Sequence, residues 1–249
     1  MTVLHAAAIF AVGIAAGTVN TVVGSGTLLT FPTLLAFGYA PLVANVSNNI
    51  GLVPGTVSGA WGYRRLLAGQ RARVLPLAVA STLGGIIGAV LLLSLPPSAF
   101  AAIVPVFIAV ALLLIVAQRP ISRWLATDRG APRTGASASA RLGVACSGVY
   151  GGYFGAAQGI LLLAILGLTV DDELQRLNAA KVVLAGTVNC VAGVIFVFVA
   201  HVNWAVAGLI AAGSLLGGMF GARFGQRLSP TVLRWLIVIV GVVAIVKLL

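Results

Sequence analysis

Amides, hydroxyls and one ammonium stand out in this chain because almost everything around them is apolar. Asn20, Asn45, Asn48, Asn49, Asn178 and Asn189 interrupt runs of Val, Leu, Ile, Ala and Gly, and Lys181 follows Asn178 by three residues. A buried amide needs a hydrogen-bond partner. Each is therefore either a link between helices, contributing about 0.6 kcal/mol inside a membrane, or a ligand for a polar solute. Asn45 and Asn178 are the best pair for a central polar site, with Asn20 and Asn48 beside them. Lys181 reads two ways. An ionisable group inside an apolar span is usually functional, but a lysine near the end of a span also snorkels to water, here beside Arg176. Asp128, Asp171, Asp172 and Glu173 all fall between the apolar runs. A cation with no acid partner fits an anionic ligand and disfavours a side-chain proton relay.

Two glycine-dense interruptions supply the other candidate ligands. The first reads Gly13-x3-Gly17-x2-Asn20-x3-Gly24-Ser25-Gly26-Thr27, the second Gly148-x3-Gly152-x2-Gly155-x3-Gly159. Gly24, Gly26, Gly155 and Gly159 are dense enough to break a helix, and breaks at corresponding places in two halves point to a solute site. Helices that restart near Thr27 and Ile160 would present free N–H groups and a positive dipole end to an anion. Ser25, Thr27 and Gln158 would add hydroxyl and amide donors; plain capping and packing is the bland alternative.

Enzymatic chemistry finds little support. Ser25 between two glycines suggests a nucleophile, but His5 and His201, expected near helix ends, follow no catalytic motif, and a serine needs a base within hydrogen-bond reach. No metal-ligand cluster and no cofactor motif is present in the sequence. Cys146 and Cys190 read as small buried residues.

The elements that must position these groups are membrane helices. Of 249 residues, 60% are hydrophobic and 8% charged, against about 25% charged in a soluble domain. Stretches 74–94, 99–117, 179–199, 204–222 and 231–249 approach the roughly 20 apolar residues that a spanning helix needs. Their continuous apolarity argues against a barrel, whose strands alternate. Glycines spaced in fours, as in Gly84/Gly88 and Gly213/Gly217/Gly221, predict close helix packing. The net charge of +11 reports topology rather than nucleic-acid binding.

A shift of 133 places Ser81, Gly84, Gly85, Gly88 and Pro97 on Ser214, Gly217, Gly218, Gly221 and Pro230, and Asn45 on Asn178. The arginines do not follow: Arg64, Arg65, Arg71 and Arg73 fall on Val197, Phe198, Trp204 and Val206. With basic loops kept inside, the reading is an all-α polytopic inverted repeat. Each half is a broken or re-entrant hairpin plus three transmembrane helices. The expected divisions are 1–117 for the first repeat, 118–140 for a cytoplasmic linker and 141–249 for the inverted second repeat. A single span over 141–168 is the competing topology; it would put Arg223, Arg227 and Arg234 outside.

These residues resemble a known family. The first break leads into Thr30-Phe31-Pro32-Thr33-Leu34-Leu35 and Gly38, then Ala44-Asn45-Val46-Ser47-Asn48. In the second half Gly151-Gly152-Tyr153-Phe154-Gly155-x3-Gly159 precedes Asn178-Ala179-Ala180-Lys181, and later Gly217-Gly218-x2-Gly221-Ala222-Arg223. The whole pattern is similar to the sulfite exporter TauE/SafE (TSUP) family. The resemblance implies a permease of the bacterial inner membrane, with relatives that move sulfite, sulfonates, sulfoacetate or related small anions. The chain departs from the family where Gly24-Ser25-Gly26-Thr27 lacks an additional glycine, and where the second break is glycine and alanine apart from Gln158. The expectation is a multi-pass exporter of a small anion, working by alternating access, with no cofactor and no nucleic acid, embedded in the lipid bilayer; a homodimer is a possible assembly. A permease for another small solute and a non-transporting membrane subunit are the alternatives.

Overall fold

In the computed structural model the described residues are 1–127, 137–224 and 238–239. The fifth expected span, 231–249, lies outside them apart from 238–239, as do Asp128, Arg227 and Arg234. Nine helices and no strand form among the described residues: α1 (Val3–Val22), α2 (Thr27–Ala36), α3 (Pro41–Gly62), α4 (Arg71–Ser94), α5 (Pro97–Thr127), α6 (Ala138–Tyr153), α7 (Gln158–Thr169), α8 (Leu174–Val199) and α9 (Trp204–Phe224). Val3–Val22, Arg71–Ser94, Pro97–Ala117, Leu174–Val199 and Trp204–Phe224 are long and apolar enough to cross a membrane. Helix α3 has 22 residues but buries Asn45, Ser47, Asn48, Asn49, Thr56 and Ser58, so other helices rather than lipid must surround it. Helix α5 continues to Thr127, past the end of the stretch expected at 99–117.

Local chemistry sets the helix starts. The Thr2 hydroxyl accepts from the His5 N–H at 3.2 Å, and Ser137 accepts from Ala140 at 3.2 Å, filling the N-cap role at α1 and α6. Pro41 opens α3, where its missing N–H costs nothing. The element order repeats: α1 to α4 match α6 to α9 at the same offset of 133 that aligns the glycines.

Both glycine-rich segments fold back as hairpins, so 141–168 is not one continuous span. Gln158 of α7 donates to the Ser147 carbonyl of α6 at 3.2 Å, and Ile165 lies against Gly143. In the first hairpin Gly26 sits against Ala16, and the Phe37 ring stacks on His5 with centroids 4.4 Å apart.

Small residues set the helix–helix seams and reveal the direction of each helix. Gly13 and Gly17 of α1 meet Ile210 and Ser214 of α9, so the two run parallel; Gly51 and Gly55 of α3 meet the same two residues. On the other side Gly84 and Gly88 of α4 meet Ala145 and Val149 of α6, again in parallel, while Gly85 packs on Val188 of α8. Between the two groups α3 and α8 are antiparallel: Gly186 meets Thr56 and Gly193 meets Asn49. Helices α1, α3 and α9 therefore point one way and α6, α8 and α4 the other. Hydroxyls lock the seams: Ser214 Oγ donates to the Gly51 carbonyl at 2.7 Å and Ser58 Oγ to that of Leu215 at 2.9 Å. Cys146 is exposed and Cys190 half-buried, and both thiols are free; neither is the fully buried small residue expected, because each faces the outside of its helix pair.

A Cβ on Gly217 would stand 2.0 Å from the Ile14 carbonyl oxygen, whereas one on Gly208 would meet nothing within 4 Å. Gly217→Ala should lower stability by about 1–3 kcal/mol through overpacking. Gly208→Ala should leave stability unchanged or raise it slightly. Thermal unfolding of the two purified variants in one detergent checks the contrast.

Candidate functional site

The two breaks meet each other in the interior. After α1 the chain turns at Gly24, with φ +88°, and after α6 it turns through Gly155, φ +77°, and Ala157, φ +60°. Gly24 and Ala157 are equivalent under the repeat, so both hairpins use a left-handed residue at the same point. The Gly159 N–H donates to the Gly24 carbonyl at 3.1 Å. A Cβ on Gly159 would lie 2.4 Å from the Gly24 Cα, so the backbones touch without side chains between them. The tips are closed to the exterior: Ser25, Ala156 and Ala157 have no exposed surface.

Around this contact the expected residues sort into three groups. The first is formed by the α2 start and α3. Asn48 Oδ1 accepts a short hydrogen bond from Thr30 Oγ1, and Asn48 Nδ2 donates to Thr27 Oγ1 at 3.4 Å. Ser25 Oγ, fully buried beside them, has no hydrogen-bond partner. No histidine reaches it, which removes the base that a serine nucleophile requires.

The second group is a crossed pair of clamps. Asn45 on α3 donates to the Tyr153 carbonyl of the second hairpin at 3.0 Å. Its repeat equivalent, Asn178 on α8, donates to the Thr21 carbonyl of the first hairpin at 3.4 Å and to Tyr63 Oη at 3.3 Å. The two amides thus do not share one site; each holds the hairpin of the other half. Lys181 joins the second clamp. It has no exposed surface, and Nζ donates to the carbonyls of Asn20 and Thr21 at 3.4 and 3.2 Å. Lys181 therefore does not snorkel. Its ammonium sits at the carbonyl end of α1, where the helix dipole is negative, and it makes no ion pair among the described residues. Asn20 contributes its backbone, with its side chain against Gly26.

The third group stays within the second hairpin. Gln158 bonds the Ser147 carbonyl and fills the space over Gly151, so its amide is used inside its own hairpin. The expected N-terminal donors are partly consumed: Leu28 N–H bonds the Ser25 carbonyl and Gly159 N–H bonds Gly24.

Sequence reasoning missed an aromatic cluster against the second tip. Phe154 packs against Phe31 of α2 at 5.2 Å and Phe107 of α5 at 5.5 Å, and Tyr153 against Phe100 at 5.8 Å. Thr30 and Tyr63 were also missed. Thr30 stands one turn after Thr27, a spacing that puts both on one helix face; Tyr63 carries no local signal.

The family model for the sulfite exporter TauE/SafE matches residues 9–248. A probable membrane transporter protein, ORF9, of Sinorhizobium sp. is 28% identical over 242 residues, spanning 97% of this chain and 91% of that protein. The probable membrane transporter protein YfcA of Escherichia coli K12 is 26% identical over 243 residues, 97% of this chain and 88% of the relative. A third, from Haemophilus influenzae, is 24% identical over 243 residues, with 97% and 93% covered. No solved structure gives a significant match.

The left-handed alanine makes one forecast. A left-handed L-residue costs about 1–2 kcal/mol that glycine does not. Ala157→Gly should stabilise the folded protein by about 1 kcal/mol, read as a higher midpoint in thermal unfolding.

Proposed function

The chain belongs to the sulfite exporter TauE/SafE family and is a multi-pass membrane transporter protein; from that premise we propose that it carries a small anion out of a bacterial cell across the inner membrane. Sulfite, sulfonates and sulfoacetate are the substrate class. The observation that carries this reading is Lys181: a fully buried ammonium whose partners are neutral carbonyls. Two carbonyls use two of its three donors. No carboxylate pairs with it among the described residues, which favours an anion beside the first hairpin. Ser25 Oγ, without a partner, and the Thr27–Asn48–Thr30 group would complete the anion's hydrogen bonds. The site is then off-centre, weighted toward the first tip, because the second tip offers glycine, alanine and an already engaged Gln158.

Helix direction supports the inverted topology. The starts of α4, α6 and α8 and the ends of α3 and α9 share one face, and Arg64, Arg65, Arg71, Arg73, Arg141, Arg176 and Arg223 lie on these ends. The positive-inside rule makes that face cytoplasmic. Access to the tips is then closed outside by the aromatic cluster and inside by the Asn178–Tyr63 and Lys181 contacts. Alternating access would open one closure while the other holds.

An inside-negative potential drives an anion outward by about 2.3 kcal/mol per charge per 100 mV. Efflux of sulfite from proteoliposomes should therefore accelerate when the interior is made negative. Indifference to potential combined with strict dependence on a proton gradient would sink the proposal. Lys181→Met should weaken anion affinity about tenfold or more, and Lys181→Arg should retain part of it. Because the α1 carbonyls lose their donor, Lys181→Met should also cost about 1–3 kcal/mol in stability. Unchanged affinity with reduced stability would leave Lys181 as a cap for α1 alone.

A further inference from the structure

A cavity remote from the hairpin tips opens at the arginine-bearing end. It has a volume of about 450 Å³ and lies between the 63–70 loop, α4 and α8. Arg64 and Arg71 line its rim, and Leu67, Val74, Leu75 and Val183 line its wall. The arrangement has a direction. Arg71, Val74, Leu75 and Ala78 follow one another along α4 at the spacing of a single helix face, so the cavity runs from two charges at the helix start to aliphatic surface a turn or two deeper.

The two charges are not neutralised. Arg71 makes no hydrogen bond or ion pair among the described residues, and Arg64 bonds only the Trp61 carbonyl at 3.1 Å while its guanidinium lies 5.0 Å over the Trp61 ring. Asp172 is committed elsewhere, to Arg73 and Arg176. Burial would push its carboxyl up, but the Arg73 and Arg176 guanidinium groups and the Glu173 N–H outweigh this and hold it below the usual carboxylate range. It therefore stays ionised for its own partners. Trp61 is 69% exposed, at the level where tryptophan marks a membrane–water boundary.

A basic rim, an aliphatic wall and an interfacial tryptophan fit an amphipathic ligand with an anionic phosphate head. We propose that this cavity binds the headgroup phosphate of an anionic phospholipid, with Arg64 and Arg71 on the phosphate and an acyl chain along Val74, Leu75 and Ala78. Basic pockets between helices on the cytoplasmic side hold such headgroups. The repeat does not reproduce the site, since Arg71 falls on Trp204, so a single lipid per chain is expected. The site is independent of the transported solute.

Native mass spectrometry of the full chain in detergent, titrated with phosphatidylglycerol or phosphatidylcholine, tests the assignment. Phosphatidylglycerol should bind about fivefold tighter or more. The double variant Arg64→Gln/Arg71→Gln should lose on the order of tenfold in phosphatidylglycerol affinity, since each basic residue near an anionic lipid contributes to the attraction. Ala78→Trp, which fills the groove and keeps both charges, should also weaken it. Arg223→Gln, on the same face but off the cavity, should bind as the parent protein does. Equal affinity for the two lipids, an equal loss in Arg223→Gln or full binding by Ala78→Trp would each overturn the proposal. Displacement of phosphatidylglycerol by millimolar glycerol 3-phosphate would reassign the cavity to a soluble phosphate.

Discussion

The hydrogen bond from the Gly159 N–H to the Gly24 carbonyl is the contact on which the remainder of the architecture turns. A helix inside a membrane satisfies its own backbone, and a broken one does not. Each hairpin exposes donors at one restart and acceptors at one stop, and lipid answers neither. The structure resolves this by placing the two breaks against one another and by giving the helix-end carbonyls to Asn45, Asn178 and Lys181. Glycine at positions 24 and 159 lets the backbones approach to contact distance, and no other residue would fit the gap.

Once the tips meet, the flanking helices inherit fixed duties. Carbonyls at the end of α1 go to Asn178 and Lys181, and the Tyr153 carbonyl at the end of α6 goes to Asn45. The donors come from the opposite half in each case. The repeat thus conserves the amide position and exchanges its target. At one equivalent position the halves differ in charge: where the first half places Asn48 on the hydroxyls of Thr27 and Thr30, the second places the Lys181 ammonium on carbonyls.

Much of this was legible in the chain. Apolar runs of spanning length marked α4, α8 and α9, and paired glycine clusters marked both hairpins, because backbone breaks and close packing each have one residue that serves them best. The relative directions of the helices follow from which glycines meet which partners across the seams. Partner identity was less visible. Asn45 and Asn178 looked like a pair by alignment, yet they stand apart, since each donates to a carbonyl of the other half's hairpin. The left-handed Ala157 was unreadable because glycine normally fills that conformation. The aromatic cluster of Phe31, Phe107 and Phe154 joins residues far apart in sequence, with no spacing that links them. Helix α5 ran past its apolar stretch because polarity ends a membrane span without ending a helix.

The exchanged seams bear on how the molecule is made. Helix α1 packs on α9 and α4 packs on α6, so neither half completes its small-residue interfaces from its own sequence. During synthesis the first five helices enter the bilayer with the Gly84–Gly88 face uncovered and Asn45 without its acceptor, and they remain so until α6 emerges. The first hairpin waits longer still, for α9 near the end of the chain. Biogenesis is thus an assembly of two incomplete halves, in which the earliest helix inserted is among the last to be seated.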